Sequence, residues 1–203
     1  MKSLAIEREY GTGGWELGRE IAEIKGIPFY DELGIITEAE RMGYKLTLLK
    51  NYEEKKKESI LYNIAVIANH ESELKDEVEK LIRELFRELK ETVAQLCARE
   101  PAVFVGGAVC GILDESDDFV KVFLHSSRND IKSVYLHQCK GTFSNVEVGR
   151  IMANKDKQRS IYFRMLTHKE WKDTENYDLT YDVSKITKEM IVNTVCEEMD
   201  IHK

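Results

Sequence analysis

The feature that most limits what this chain can become lies close to its N-terminus. A short apolar run at residues 3–7 gives way to Arg8-Glu9-Tyr10-Gly11-Thr12-Gly13-Gly14, and then to a segment of helical character ending near Lys25. Glycines between a strand and a helix let the backbone turn tightly and bring its amides against an anion. The helix that follows presents N–H groups with no partner inside it. At the edge of a parallel sheet, such a turn is the usual seat of a nucleotide phosphate. Glycine-rich turns also arise for steric reasons alone, so the rest of the chain has to discriminate.

A catalytic phosphate loop normally reads G-x-x-x-x-G-K-[ST], in which the lysine reaches the β- and γ-phosphates and the hydroxyl serves magnesium. Here Arg8 stands at the first glycine, Gly14 at the lysine and Trp15 at the hydroxyl, and Thr12 is the only hydroxyl in the turn. The result is an amide cradle without its usual charge. Positive charge gathers elsewhere. Between residues 150 and 172, Arg150, Lys155, Lys157, Arg159, Arg164, Lys169 and Lys172 face only Asp156 and Glu170, in a chain whose net charge is −7. Arg150, Lys157 and Arg164 recur every seven residues and fall on one helix face, while Lys155 and Arg159 are spaced i,i+4.

Cations on a lid-like segment can close over phosphates and replace a missing loop lysine, and the planar fork of arginine suits that task. The candidate donor-phosphate residues are therefore Arg8, Gly11, Thr12, Gly13 and Gly14, with Lys157 and Arg159 neutralising the transferred group. Arg150 and Arg164 are candidates for the acceptor. Asp31 is another, although a turn or helix cap explains it equally well. A solvated basic helix accounts for the same charges without any ligand. Nucleic acid is the weakest reading, because no aromatic platform interleaves with the cations.

Five short apolar runs, at residues 3–7, 28–30, 102–106, 120–125 and 179–183, alternate with helical patterns and imply a parallel α/β sheet. Residues 73–99 form the strongest helix, with Leu74, Val78, Leu81, Leu85, Leu89, Val93 and Leu96 on one stripe. Its Asp76/Lys80 and Glu79/Arg83 pairs face outward. Core packing is the first reading of that stripe. A homodimer seam is the second, because Ile82 and Phe86 widen it. A further helix is expected around residues 60–67, and residues 53–58 read as a solvated helix face. Ser144 and Glu147 have capping-box spacing, and Thr187 is expected to cap a last helix running to about Met199.

No apolar run approaches the ~18–20 residues needed to span a bilayer, and the N-terminus meets charge too soon for a signal peptide. The four cysteines are widely separated and the five histidines scattered. Neither a disulfide framework nor a metal-ligand set is expected, and a reducing cytoplasm is the default compartment.

The turn at residues 8–14, followed by Gly26-Ile27-Pro28-Phe29-Tyr30-Asp31, resembles the cytidylate-kinase-like family, a divergent branch of the P-loop nucleoside-monophosphate kinases. The resemblance continues at Val105-Gly106-Gly107, at Asp156-Lys157-Gln158-Arg159 with Tyr162 after it, and through residues 171–179. It implies a three-layer α/β fold with a five-stranded parallel sheet. The core would comprise residues 1–37, 101–143 and 173–203, a helical monophosphate-binding insertion residues 38–100, and a lid residues 144–172. The implied activity is phosphoryl transfer from ATP, with Mg²⁺, to a nucleoside monophosphate, a pyrimidine such as CMP being favoured. The chain departs from the family pattern where arginine is usual and Trp15 stands, at Gly107 in place of a V-G-R arginine, and after the fourth strand, where only Arg128 and Lys132 occur. Two expectations follow: a kinase-like phosphotransferase, or a catalytically degenerate protein that holds a nucleotide without turnover.

Overall fold

The computed structural model describes residues 1–45, 75–113, 118–128 and 145–201. Within them, five parallel strands form one sheet in the order β2-β3-β1-β4-β5. The strands are β1 (Ser3–Arg8), β2 (Phe29–Asp31), β3 (Val103–Val105), β4 (Phe119–His125) and β5 (Leu179–Asp182). Each matches a run expected from sequence. β1 lies at the centre, with Ile6 paired to Val105 on one side and to Val122 on the other. Parallel pairing puts the C-terminal ends of all five strands on one edge. The chain winds from β1 out to β2 and back to β3, then crosses β1 to reach β4 and β5. The winding therefore reverses beside the end of β1, where α/β sheets form ligand crevices.

Side chains alternate across this sheet, so each face builds its own core. Leu4, Ile6, Val105 and Val122 pack with Leu17 and Ile21 of α1 (Gly14–Lys25) and with Ile191 and Val195 of the final helix. Ala5, Phe104 and Phe123 face the other way. There they join buried residues of α2 (Glu32–Arg41), α3 (Lys75–Cys97), α4 (Val109–Ile112) and α5 (Asn145–Thr167). The final helix, α6 (Lys188–Asp200), is capped by Thr187, whose hydroxyl accepts from the Met190 amide at 3.3 Å.

In α3, Leu85, Leu89, Val93 and Leu96 are buried as the stripe requires. Ile82 and Phe86 are partly buried and pack on the same core. α2 begins earlier than the sequence signalled, because the Asp31 carboxylate accepts the Gly34 amide at 2.9 Å and starts the helix there. The helix expected at residues 60–67, the charged face at 53–58 and the Ser144 cap lie outside the described residues, as do the side chains of Asp76 and Glu79, on which the outward pairs of α3 depend. No helix among those described is long and apolar enough to cross a membrane.

Candidate phosphate-binding site

Gly11 (φ 84°) and Gly13 (φ 73°) take left-handed backbone, which turns the chain from β1 into α1. Gly13 is also the N-cap of α1 and has no side chain to satisfy the first amides, so the helix begins bare. The Thr12 hydroxyl points inward and donates to the Glu9 carbonyl at 2.9 Å, bracing the turn from within. Residues 8–16 and Arg159 line a half-open cavity of about 60 Å³ around this turn.

Helix α5 closes on the turn with one face. Asp156 Oδ1 accepts the Tyr10 amide at 2.6 Å, and Arg159 Nη1 donates to the Arg8 carbonyl at 3.1 Å. The Arg159 guanidinium lies over the Tyr10 ring, 5.3 Å from its centroid. Val148 and Met152, on the same helix, pack against Tyr10. The Asp156-Lys157-Gln158-Arg159 block thus divides by helical geometry. Residues 156 and 159, three apart, meet the turn, whereas Lys157 is exposed and does not line the cavity. Arg150 and Arg164 are exposed too, and Arg164 faces Glu170 at 3.7 Å. Of these four cations, the structure brings only Arg159 to the turn.

Behind the turn lie two carboxylates that the sequence did not single out, Glu7 and Glu32. Glu7, only 4% exposed, accepts the Trp171 indole N–H at 3.2 Å, and its Oε1 has no hydrogen-bond partner. Glu32 Oε1 is likewise enclosed without a partner. Burial raises both carboxyls above the ordinary range, opposed mainly by Arg8. Arg159 is pushed down to about 10 by burial and by Arg8, while Asp156, Glu7 and Glu32 hold it up. The signals for this set were a carboxylate on the inward face of β1, two residues after Ala5, and an Asp–Arg pair at i,i+3.

The remaining candidates have structural partners. Asp31 uses Oδ1 to cap α2 and Oδ2 to accept the Trp15 indole N–H at 3.1 Å. That bond and an edge-on contact with Phe29 at 5.5 Å hold the indole against β2. Trp171 and Tyr177 are buried and pack on Phe123 of the sheet. After β3, Gly106, Gly107 and Ala108 are all left-handed, with φ of 81°, 70° and 57°. The Arg8 guanidinium rests on Gly106: a Cβ there would sit 2.2 Å from its Nη1.

A parallel sheet, a glycine turn with a bare helix start and a helix clamped over it define an α/β phosphate-loop architecture. The chain belongs to the cytidylate kinase-like family, whose model matches residues 3–185. In structure it is similar to an uncharacterized protein from Eubacterium ventriosum, at 20% identity and a TM-score of 0.70, over 98% of both chains. A gluconokinase from Sinorhizobium meliloti matches at 17% identity and a TM-score of 0.49, over 98% of this chain and 91% of that one. A shikimate kinase from Acinetobacter baumannii matches at 13% and 0.48, over 98% and 93%. No curated protein matches significantly.

Proposed function

We propose that this protein is a nucleoside-monophosphate-kinase-like phosphotransferase that moves the γ-phosphate of ATP to a nucleoside monophosphate, with a pyrimidine acceptor such as CMP favoured. The observation that carries this reading is the cavity at the glycine turn, with bare α1 amides on one side and Arg159 of α5 on the other. The amides of residues 11–14 hold the donor phosphates, and Arg159 stabilises charge on the transferring oxygens. An acceptor phosphate oxygen attacks the γ-phosphorus, the bond to the β–γ bridging oxygen breaks, and ADP leaves. That oxygen is already anionic, so no general base is required. Residues 38–100 would cover the acceptor, and residues 144–172 act as the lid.

The amide cradle fits a polyphosphate. The fit is poorer for Mg²⁺. No cluster of three His, Cys, Asp or Glu side chains among the described residues can hold a metal, and the Thr12 hydroxyl donates its proton to Glu9. The ion would arrive on the nucleotide, where it neutralises phosphate charge. Nucleotides are the proposed partners and the cytoplasm the proposed compartment.

One observation favours a second reading, a nucleotide-holding protein without turnover: position 14 supplies no cation to the turn. Losing one charge-stabilising contact commonly costs ~10²–10³ in rate. A coupled ADP-release assay across the common nucleoside monophosphates, run beside ATP-binding calorimetry, decides between them. Turnover with at least one acceptor is expected; ATP binding without turnover for every acceptor would overturn the enzyme reading in favour of the second.

A further inference from the structure

Two departures from the usual phosphate-loop pattern, arginine at the first glycine and glycine at the lysine, occupy one place in space. A Cβ built at Gly14 would lie 2.9 Å from Arg8 Cγ, 3.1 Å from Arg8 Cβ and 3.2 Å from Leu124 Cδ1. The two arginine atoms belong to the root of the side chain, which cannot swing aside as its tip can. Any side chain at position 14, lysine included, would therefore force the root of Arg8 to shift. Arg8 is among the residues that line the cavity, and its guanidinium rests on Gly106, where the absence of a side chain leaves it room. Its guanidinium is partly exposed and makes no hydrogen bond or ion pair with a described residue, although Glu7, Glu32 and Arg159 lie within its field. Its five N–H donors therefore have no acceptor among the described residues.

We infer that positions 8 and 14 are a reciprocal exchange: the phosphate-binding cation of the loop has moved from the start of α1 to the end of β1, and Arg8 grips the terminal phosphates of the bound nucleotide. The second arginine, Arg159, lines the same cavity and donates to the Arg8 carbonyl. The pair makes a clamp for a dianionic phosphoryl group, for which two guanidinium forks are better suited than one ammonium. Glu16 also lines the cavity, and Glu7 and Glu32 lie behind the clamp, so the two cations are partly balanced until a more highly charged anion arrives. The absence of the loop lysine then marks a relocated charge. This inference rests on the nucleotide reading above.

The test uses the full chain. Arg8→Met keeps the aliphatic stem and deletes the charge; Arg8→Gly, Gly14→Lys and the Arg8→Gly/Gly14→Lys exchange complete the set. ATP and adenosine binding are read by calorimetry and folding by urea unfolding. Arg8→Met is expected to fold as the wild type does and to lose about 10- to 100-fold in ATP affinity, with adenosine unaffected. Gly14→Lys alone should unfold at lower urea than the wild type. The exchange variant should recover that loss and bind ATP within about tenfold of the wild type, since a conventional lysine loop has been rebuilt. A wild type that binds ATP while Arg8→Met binds it equally well overturns the inference and leaves the nucleotide reading standing. So does an exchange variant no more stable than Gly14→Lys. A wild type that binds no ATP overturns both.

Discussion

Two turns leave neighbouring strands on the same edge of the sheet, and both contain left-handed glycines, yet they need them for different reasons. In the turn after β1, a Cβ at Gly13 would meet nothing within 4 Å, so glycine answers only to the backbone angle. In the turn after β3, Gly106 has the same angle, and it also makes room for the Arg8 guanidinium that rests on it. The first turn is open and shaped to receive something. The second is already filled, by a side chain from the first. A carboxylate anchors the first, where Asp156 takes the Tyr10 amide, and beside the second lies the buried carboxyl of Glu7, whose charge the Ala108 amide slightly favours. Glycine in a loop therefore carries two separable meanings, conformation and space, and only the structure tells them apart.

The largest effect should come from breaking the filled turn. Gly106→Ala pays left-handed strain and drives Arg8 from its seat, and we expect a loss of about 2–3 kcal/mol in urea unfolding. Gly13→Ala suffers the strain alone, about 1–2 kcal/mol. The decisive comparison is a double-mutant cycle with Arg8→Ala. At Gly106 the cost should fall toward that at Gly13, whereas at Gly13 it should not change. Equal coupling at both positions would remove the distinction between the turns.

How much of this was legible beforehand follows the same division. Strand runs, the apolar stripe of α3 and the Thr187 cap are local patterns, written in spacing and residue type, and the structure reproduces them. The glycine turn was legible for the same reason. The charged site was legible only in part: Arg8 and Arg159 were among the candidates, but a count of cations between residues 150 and 172 cannot say which face of a helix meets a loop more than 140 residues away. The seven-residue spacing grouped Arg150, Lys157 and Arg164 correctly on one face, and that face is exposed. Arg159 lines the cavity while Asp156, three residues before it, takes the Tyr10 amide, a spacing that the charge count passed over. Glu7 was hidden by its place at the end of an apolar strand, and its partner Trp171 is far off in sequence.

The Glu7 anchor can be tested by pH. Burial raises this carboxyl above its ordinary value of 4.5, so folding favours the protonated form. Its contribution to stability is therefore fully present below the unfolded value and is lost as pH rises through the folded one. Glu7→Gln keeps an oxygen to accept the Trp171 N–H and removes the ionisation. As pH rises above about 4.5, the variant should gain stability relative to the wild type, read as a widening gap in urea midpoint. Glu32 shifts in the same direction and is raised in part by the Glu7 charge, so Glu7→Gln also eases Glu32, which adds to the same widening. A gap that stays constant with pH would mean that the arginines hold Glu7 ionised in both states, and the second turn would then be pinned by a full charge.

The smallest effect is expected at Ala108, the one residue of the filled turn that is left-handed without being glycine. Three terms of similar size meet there. Ala108→Gly relieves left-handed strain of about 1–2 kcal/mol. It gives the unfolded chain more freedom, which costs about 0.4–1 kcal/mol. It also removes a methyl that is 1% exposed in the core, losing about 0.8 kcal/mol of burial. The sum should stay within about 1 kcal/mol of zero, smaller than either glycine replacement, and should leave the urea midpoint nearly unmoved. A clear stabilisation would show that the second turn stores strain at Ala108, and its fit around Arg8 would then have been achieved against the backbone's own preference. A clear loss would show that the methyl's packing outweighs the angle, which would make the filled turn a piece of core that happens to lie at the sheet edge.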